Sequence, residues 1–307
     1  MSQSKRATML ARDEARCPQS PQSQNFRFGE VGKGLSTTYV VVTMFVLYSE
    51  CLLLYMLDCD FHKGHGSHGD TIYIVVLHLF LVLLLYSFAM ACLAHPGPLP
   101  SHGWQLESDA LALQVAKMER KKTGGPRTCK WCLVYKPDRA HHCRECNFCV
   151  LRLDHHCPWV YNCVGYRNHK YFLLVLFYAT AELIMVITIL AETLTINAAS
   201  HQSISYFIFA LHGVLTAAML LLLVGGFLCF HLWLMFLAMT TLEFCEKACK
   251  NPRYDKKRYH QGLYSNVCAV LGPNPLFWLL PLSLPNGDGI SWYPQAQQQV
   301  SKGRGEV

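Results

Sequence analysis

The sequence carries little charge. Only 15% of its 307 residues are Asp, Glu, Lys or Arg, against about a quarter in ordinary soluble domains, and 52% are hydrophobic. Lipid is therefore expected to replace water around part of the chain. An apolar stretch is also missing from the first 33 residues, which are polar and rich in Arg and Ser, so this segment does not read as a secretory signal. The fifteen cysteines are accordingly expected to be metal ligands in a reducing compartment, not a disulfide framework. The net charge of +7 is not gathered on one face with aromatics interleaved, so no nucleic acid is expected as a partner.

Four runs of roughly 20 or more apolar residues are long enough to cross a bilayer: residues 35–57, 72–93, 172–196 and 204–239. The last is over-long; either Gly225-Gly226 kinks it or the span begins nearer Leu211. Lys and Arg outside these runs number 6 before residue 35, 1 in 58–71, 12 in 94–171, none in 197–203 and 8 after Met239. By the positive-inside rule the termini and the long central loop are cytosolic and the two short loops are lumenal or extracellular. An even number of spans requires the same arrangement. The expected fold is thus an all-α membrane protein with four transmembrane helices and a cytosolic, zinc-stabilised cysteine-rich domain between the second and third. Its parts are a cytosolic segment 1–34, two spans in 35–93, a cytosolic loop 94–171 with a core at 129–172, two spans in 172–239, a cytosolic region 240–285 and a flexible tail 286–307. Within the loop, 106–122 has the period of an amphipathic linker helix resting on the headgroups.

Seven cysteines and four histidines lie between Cys129 and Cys163, and their spacing repeats. Cys129, Cys132, His142 and Cys149 are separated by 3, 10 and 7 residues; Cys143, Cys146, His156 and Cys163 repeat those steps 14 residues later. Each set offers three thiolates and one imidazole, the closed tetrahedral donor set of structural zinc. The loop has too few aliphatic residues for a core, and metal ligation supplies the missing stability. A RING-type ligase also interleaves two sites, but it needs a final Cys-x-x-Cys pair, and none follows Cys163.

Two such sites leave Cys157 unused. It begins what would be a third copy, but its partner position holds Val160. His-His-Cys occurs twice, and only the second copy is preceded by an acid, Asp154, where the first has Ala140. A free thiol beside His155 and Asp154 has the parts of an activated nucleophile. The alternative is an inert buried cysteine next to a metal site.

Cys129-x2-Cys132-x9-His142-Cys143-x2-Cys146-x2-Cys149-x4-Asp154-His155-His156-Cys157-x5-Cys163-x4-Asn168-x3-Phe172 resembles the signature of the DHHC protein S-acyltransferases. Thr240-Thr241-Leu242-Glu243 matches that family's Thr-Thr-x-Glu, and residues 251–266 with the following Leu-Gly-x-Asn are similar to its C-terminal motif. The resemblance implies a two-step palmitoyltransferase. Cys157 takes an acyl group from palmitoyl-CoA or another long-chain acyl-CoA and passes it to cysteines of membrane-associated proteins. It implies Cys157 as nucleophile, His155 as base, Asp154 as its orienter, Thr241 as a hydrogen-bond donor to Asp154, and two zinc ions on the two ligand sets. Read from residues alone, Thr240–Glu243 is a capping box opening an interfacial helix through Lys250. One departure is His95-Pro96-Gly97, where the family commonly has Asp-Pro-Gly.

An acyl chain leaves water at about 0.8 kcal/mol per methylene, so the nucleophile is expected at the cytosolic rim of an apolar helix bundle, in a Golgi, endoplasmic reticulum or plasma membrane. The resemblance nominates Lys136, Arg139 and His141 for the phosphates of coenzyme A; a solvated basic loop is the alternative. Glu182 falls roughly 15 Å into the third span, where it either lines the far end of the acyl cavity or is a protonated carboxyl bonded to a neighbouring helix. His78, His212 and His231 read as packing or interface residues. Cys245 and Cys249 are either acylated themselves or part of an apolar face. A non-catalytic zinc-folded adaptor has no use for the acid, base and free thiol together, and a metal transporter would need polar spans.

Overall fold

The computed structural model describes residues 68–99, 127–200, 204–251 and 254–282, most of 37–49, and a few further positions, namely 119, 125, 285, 287–290 and 292. Among the described residues three helices are long and apolar enough to cross a membrane: Ile72–Leu93 within α1 (His68–Leu93), His169–Thr195 within α2 (His169–Ser200), and α3 (Ile204–Phe236). The described residues of the expected 35–57 span are helical; the rest of that span, and the expected 106–122 helix apart from Glu119, lie outside the described residues. Glu119 itself is not helical.

α2 begins three residues before the expected span and runs four past it. Its start is fixed from below. The Asn168 amide donates to Cys163 O at 2.8 Å and its Oδ1 accepts from Gly165 N at 2.8 Å, so the helix grows directly out of the cysteine-rich domain. α3 continues unbroken through Gly225-Gly226, which corrects the expected kink. A Cβ on Gly225 would stand 3.8 Å from Thr180 of α2, an ordinary contact, and one on Gly226 would meet open space. α3 ends at Phe236, ahead of the expected Met239, because Ala238 takes a left-handed φ of 55°. Leu77, Leu183, Val186, Leu190, Ala210 and Ala217 form one core between the helices.

The cysteine-rich domain corrects the all-α expectation. It is built on two antiparallel hairpins, β1 (His141–Cys143) with β2 (Phe148–Val150), and β3 (His155–Cys157) with β4 (Asn162–Val164). The 14-residue repeat is the reason: His142 pairs with Cys149 in the first and His156 with Cys163 in the second. The three turns that start at Cys129, Cys143 and Cys157 each end on one left-handed residue, Leu133, Asn147 and Tyr161, with φ of 57°, 57° and 48°. The Pro96-Gly97 turn after α1 locks onto this domain through Leu151 N to Gly97 O at 2.8 Å and Arg167 N to Pro96 O at 3.2 Å. His95 makes no use of a carboxylate; its ring lies against Phe148, and burial and Arg167 hold its pKa down. A Cβ on Gly165 would meet Val150 at 2.5 Å and Pro96 O at 2.6 Å, so only glycine fits there.

After α3, Thr240 N donates to Glu243 Oε2 at 2.9 Å and Glu243 N to Thr240 Oγ1 at 3.2 Å. This reciprocal capping box opens a short segment that is π-helical over Glu243–Ala248. α4 (Leu263–Leu271) follows, tied to the end of α3 by Asn266 Nδ2 to Phe236 O at 2.7 Å. The expectation of a flexible tail fails at its start. Tyr166 Oη donates to Gly287 O, Gln261 Nε2 donates to Trp292 O at 2.8 Å, and Trp292 is 7% exposed. The rest of the tail lies outside the described residues.

Candidate active site and metal centres

Among the described residues three groups of side chains are close enough to hold a metal ion: the two expected sets, Cys129, Cys132, His142 and Cys149, and Cys143, Cys146, His156 and Cys163, and a smaller one of Asp154, His169 and His231. In the first, Sγ of Cys132 lies 3.3 Å from His142 Nδ1 and 3.8 Å from Cys149 Sγ. In the second, Sγ of Cys146 lies 3.4 Å from His156 Nδ1 and 3.5 Å from Cys163 Sγ. A tetrahedral ion with metal–sulfur bonds of about 2.3 Å gives edges of about 3.8 Å, so donors and spacing both fit a closed four-ligand site. Cys132 N and Cys146 N each approach the preceding ligand sulfur, of Cys129 and Cys143, at 3.4 Å.

The third turn uses the same backbone without an ion. Cys157 closes β3 and leads into a Cys-x-x-Val turn, and the amides of Val160 and Trp159 donate to its sulfur. It is 3% exposed and stands outside both ligand groups. His155 hydrogen-bonds the Cys157 thiol with one side of its ring, and its Nδ1 meets Asp154 Oδ2 at 2.7 Å. Asp154 is fully enclosed and also accepts from Thr241 N at 2.9 Å and Thr241 Oγ1 at 2.8 Å. Burial alone would push the acid up, the base down and the thiol up. The hydrogen bonds and opposite charges of the cluster reverse all three: Asp154 is held far below the ordinary carboxylate range, His155 rises to about 9, and Cys157 falls. The combination favours an imidazolium beside a thiolate at neutral pH.

Two further histidines complete the surroundings. His169 and His231 are 4% and 1% exposed and join Asp154 in one buried cluster, with His231 Nδ1 4.0 Å from Asp154 Oδ2. His231 does pack among rings, at 4.4 Å from Phe227 and 5.1 Å from Phe172. Its place beside Asp154 was nonetheless missed by the packing reading. The available signal was an ionisable residue inside a span, which is costly to keep without a role.

The three residues nominated for coenzyme A separate. Arg139 is 2% exposed; its Nε and one terminal nitrogen each lie 2.8 Å from a Glu243 carboxylate oxygen, a second bond reaches Ala238 O at 2.8 Å, and Tyr259 and Trp292 cover its faces. Its donors are thus committed to Glu243 and Ala238 O and its faces are covered. His141 is held to a pKa of about 3 by burial and by the cations Arg127, Lys247 and Lys136, so it offers no positive charge at neutral pH. Lys136 is half-buried at the domain surface. Glu182 is 8% exposed, and neither carboxylate oxygen has a hydrogen-bond partner.

An acid, a base and an unliganded thiol in line, set between two metal-type knuckles and the ends of apolar helices, define a thiol-dependent acyltransferase. Comparison with known proteins agrees. Residues 122–248 match the family model described as DHHC palmitoyltransferase. The chain is 33% identical over 239 residues to the probable protein S-acyltransferase 15 of Arabidopsis thaliana, covering 75% of this chain and 91% of that one. It is 36% identical over 280 residues to palmitoyltransferase ZDHHC15 of Xenopus laevis, covering 82% and 80%, and 30% identical over 283 residues to palmitoyltransferase ZDHHC20 of Homo sapiens, covering 84% and 75%. The chain belongs to the DHHC palmitoyltransferase family and is a protein S-acyltransferase.

Proposed function

We propose that Cys157 carries the acyl group in a two-step transfer. In the first step its thiolate attacks the thioester carbonyl of a long-chain acyl-CoA. The carbon–sulfur bond to coenzyme A breaks, and the departing thiolate takes the proton held on His155. In the second, His155 removes the proton of a substrate cysteine, that thiolate attacks the acyl-Cys157 thioester, and Cys157 leaves as a thiolate. Asp154, oriented by Thr241, holds His155 in one tautomer and balances its charge. The observation that carries this reading is that, of the seven cysteines between 129 and 163, Cys157 alone stands outside both ligand groups while His155 hydrogen-bonds it.

The two ligand sets hold zinc in this reading, and zinc supplies folding stability to a domain without a core of its own. The acyl chain lies along the apolar seam beside Cys157, where Phe88 of α1, Phe172 and Leu176 of α2 and Leu228 of α3 form one cluster with the thiol. Lys136 meets a coenzyme A phosphate, and Glu182 closes the far end of the seam. Residues 35–57 make the fourth span, supported by Thr37 Oγ1 reaching Trp159 O at 3.2 Å. The termini and the cysteine-rich domain face the cytosol of a Golgi, endoplasmic reticulum or plasma membrane, so that substrates are membrane-associated proteins with cytosolic cysteines.

The test is incubation of the purified protein with labelled palmitoyl-CoA. Hydroxylamine-sensitive label on the parent and its loss in Cys157→Ala are expected; equal labelling of the variant would overturn the assignment.

A further inference from the structure

We propose that residues 275–282 dip back into the bilayer alongside α2, with the acyl chains of the surrounding leaflet as their partner. The segment was expected to be cytosolic, and its composition is unsuited to that. From Pro275 to Pro285 the sequence Pro-Leu-Phe-Trp-Leu-Leu-Pro-Leu-Ser-Leu-Pro has no charged residue. Its large side chains are not folded inward: Leu276, Phe277, Leu279 and Leu282 are 82%, 41%, 51% and 68% exposed.

Two bonds to α2 fix where this apolar surface lies. Lys170 Nζ donates to Phe277 O at 2.6 Å, and Tyr178 Oη donates to Leu279 O. The apolar span of α2 starts at His169, so Tyr178, nine residues on, stands about 13 Å along it. Leu279 is held at that level, continuous with the lipid-facing surface of a spanning helix. A protein partner would have to pass through the leaflet to reach it.

Most of the backbone donors meet the other demand of hydrocarbon, that polar groups be satisfied internally. Leu276 N donates to Asn274 Oδ1 at 3.0 Å, Phe277 N to Asn274 O at 3.1 Å, Trp278 N to Pro275 O at 3.1 Å, Leu280 N to Phe277 O at 3.1 Å, and Leu282 N to Leu280 O at 2.9 Å. Pro275 and Pro281 have no donor to satisfy, and the Trp278 indole donates to Gly272 O at 2.9 Å. Of the backbone donors from Leu276 to Leu282, only that of Leu279 lacks such a bond. The anchored segment follows directly on α4, whose Ala269 O accepts from Arg152 at 2.9 Å, two residues before Asp154. Lipid contact at 275–282 therefore braces the cap over the catalytic loop.

The test uses the full chain in phosphatidylcholine nanodiscs, with a benzophenone amino acid placed at Leu279 or Leu282 and the mass of photo-adducts measured. Ile184, 50% exposed in mid-helix, is the lipid-facing reference and exposed Lys256 the aqueous one. Lipid adducts comparable with those at Ile184, and at least about fivefold above those at Lys256, are expected for a segment in hydrocarbon; yields at the Lys256 level overturn the proposal. A second measurement needs no photolabel. Acyl-chain-brominated lipids should quench more of the parent's fluorescence than that of Trp278→Phe, and equal fractional quenching of the two likewise overturns it. Neither readout depends on acyl transfer.

Discussion

Replacing Arg139 by Met tests whether this residue builds the fold or binds the donor. Its guanidinium and the Glu243 carboxylate are 2% and 0% exposed and form a two-pronged pair. Removing the cation leaves a buried carboxylate without its charge partner, which costs about 3–5 kcal/mol. At roughly 2–4 °C per kcal/mol for a chain of this size or somewhat smaller, the melting temperature should fall by roughly 6–20 °C. Removing both charges, as in Arg139→Met/Glu243→Leu, should cost much less than the sum of the two single changes, with a coupling of about 2 kcal/mol or more. The assay is retention of monodisperse protein after stepwise heating in detergent, paired with the KM for palmitoyl-CoA in autoacylation. The pH dependence has a definite sign. Burial would raise the Glu243 pKa, but Arg139 and the Thr240 amide bring it below the ordinary value. In the parent the pair's contribution is complete above the ordinary glutamate range of about 4.3 and is lost only as pH falls through the lower folded value. In Arg139→Met burial acts on Glu243 without its cation and raises its pKa, so the gap between parent and variant should be widest at high pH and narrow as pH falls and the variant's carboxyl takes up a proton. An Arg139→Met protein that melts within about 1 °C of the parent and shows only a raised KM would refute the reasoning and return Arg139 to the phosphate site.

Thr241→Val keeps the backbone bond to Asp154 and deletes the 2.8 Å hydroxyl bond; the loss of one bond to a buried charge, about 1.5–3 kcal/mol, should slow autoacylation by roughly tenfold or more at unchanged metal content, and an unaltered rate would remove Thr241 from the machinery. Metal analysis should find two zinc ions per chain in the parent and in Cys157→Ala, but fewer in Cys146→Ala; one ion fewer in Cys157→Ala would make that sulfur a ligand. Glu182→Ala should shift the acyl-CoA chain-length preference toward longer chains, and an identical preference in the variant would exclude Glu182 from the acyl cavity.

The ligand sets were readable because each depends on short-range geometry. Cys-x-x-Cys closes one turn and the paired His and Cys face each other across one hairpin, so a count of intervals found all eight donors and left Cys157 over. Helical spans were likewise written in composition, although their ends moved by a few residues where Asn168 and Ala238 set them. The two hairpins were not anticipated, because three-residue strands are too short to show alternation. The pairing of Arg139 with Glu243 was not legible for a different reason: in the sequence Arg139 is one cation in a basic run, and nothing local marks its partner.

What the sequence determined by itself is the chemistry available: which thiols group with a histidine into sets able to hold a metal, which one stands outside them, and that a histidine and an aspartate precede it. Only the tertiary structure decided how that chemistry is held. Asp154 meets Thr241 across 87 residues and Arg139 meets Glu243 across 104, while His169 and His231 reach the same acid from two different helices. Intervals along the chain report neighbours within a turn or a hairpin. Which distant side chains share one dry pocket depends on how the helices pack, and there burial, more than spacing, sets the charge that each group carries.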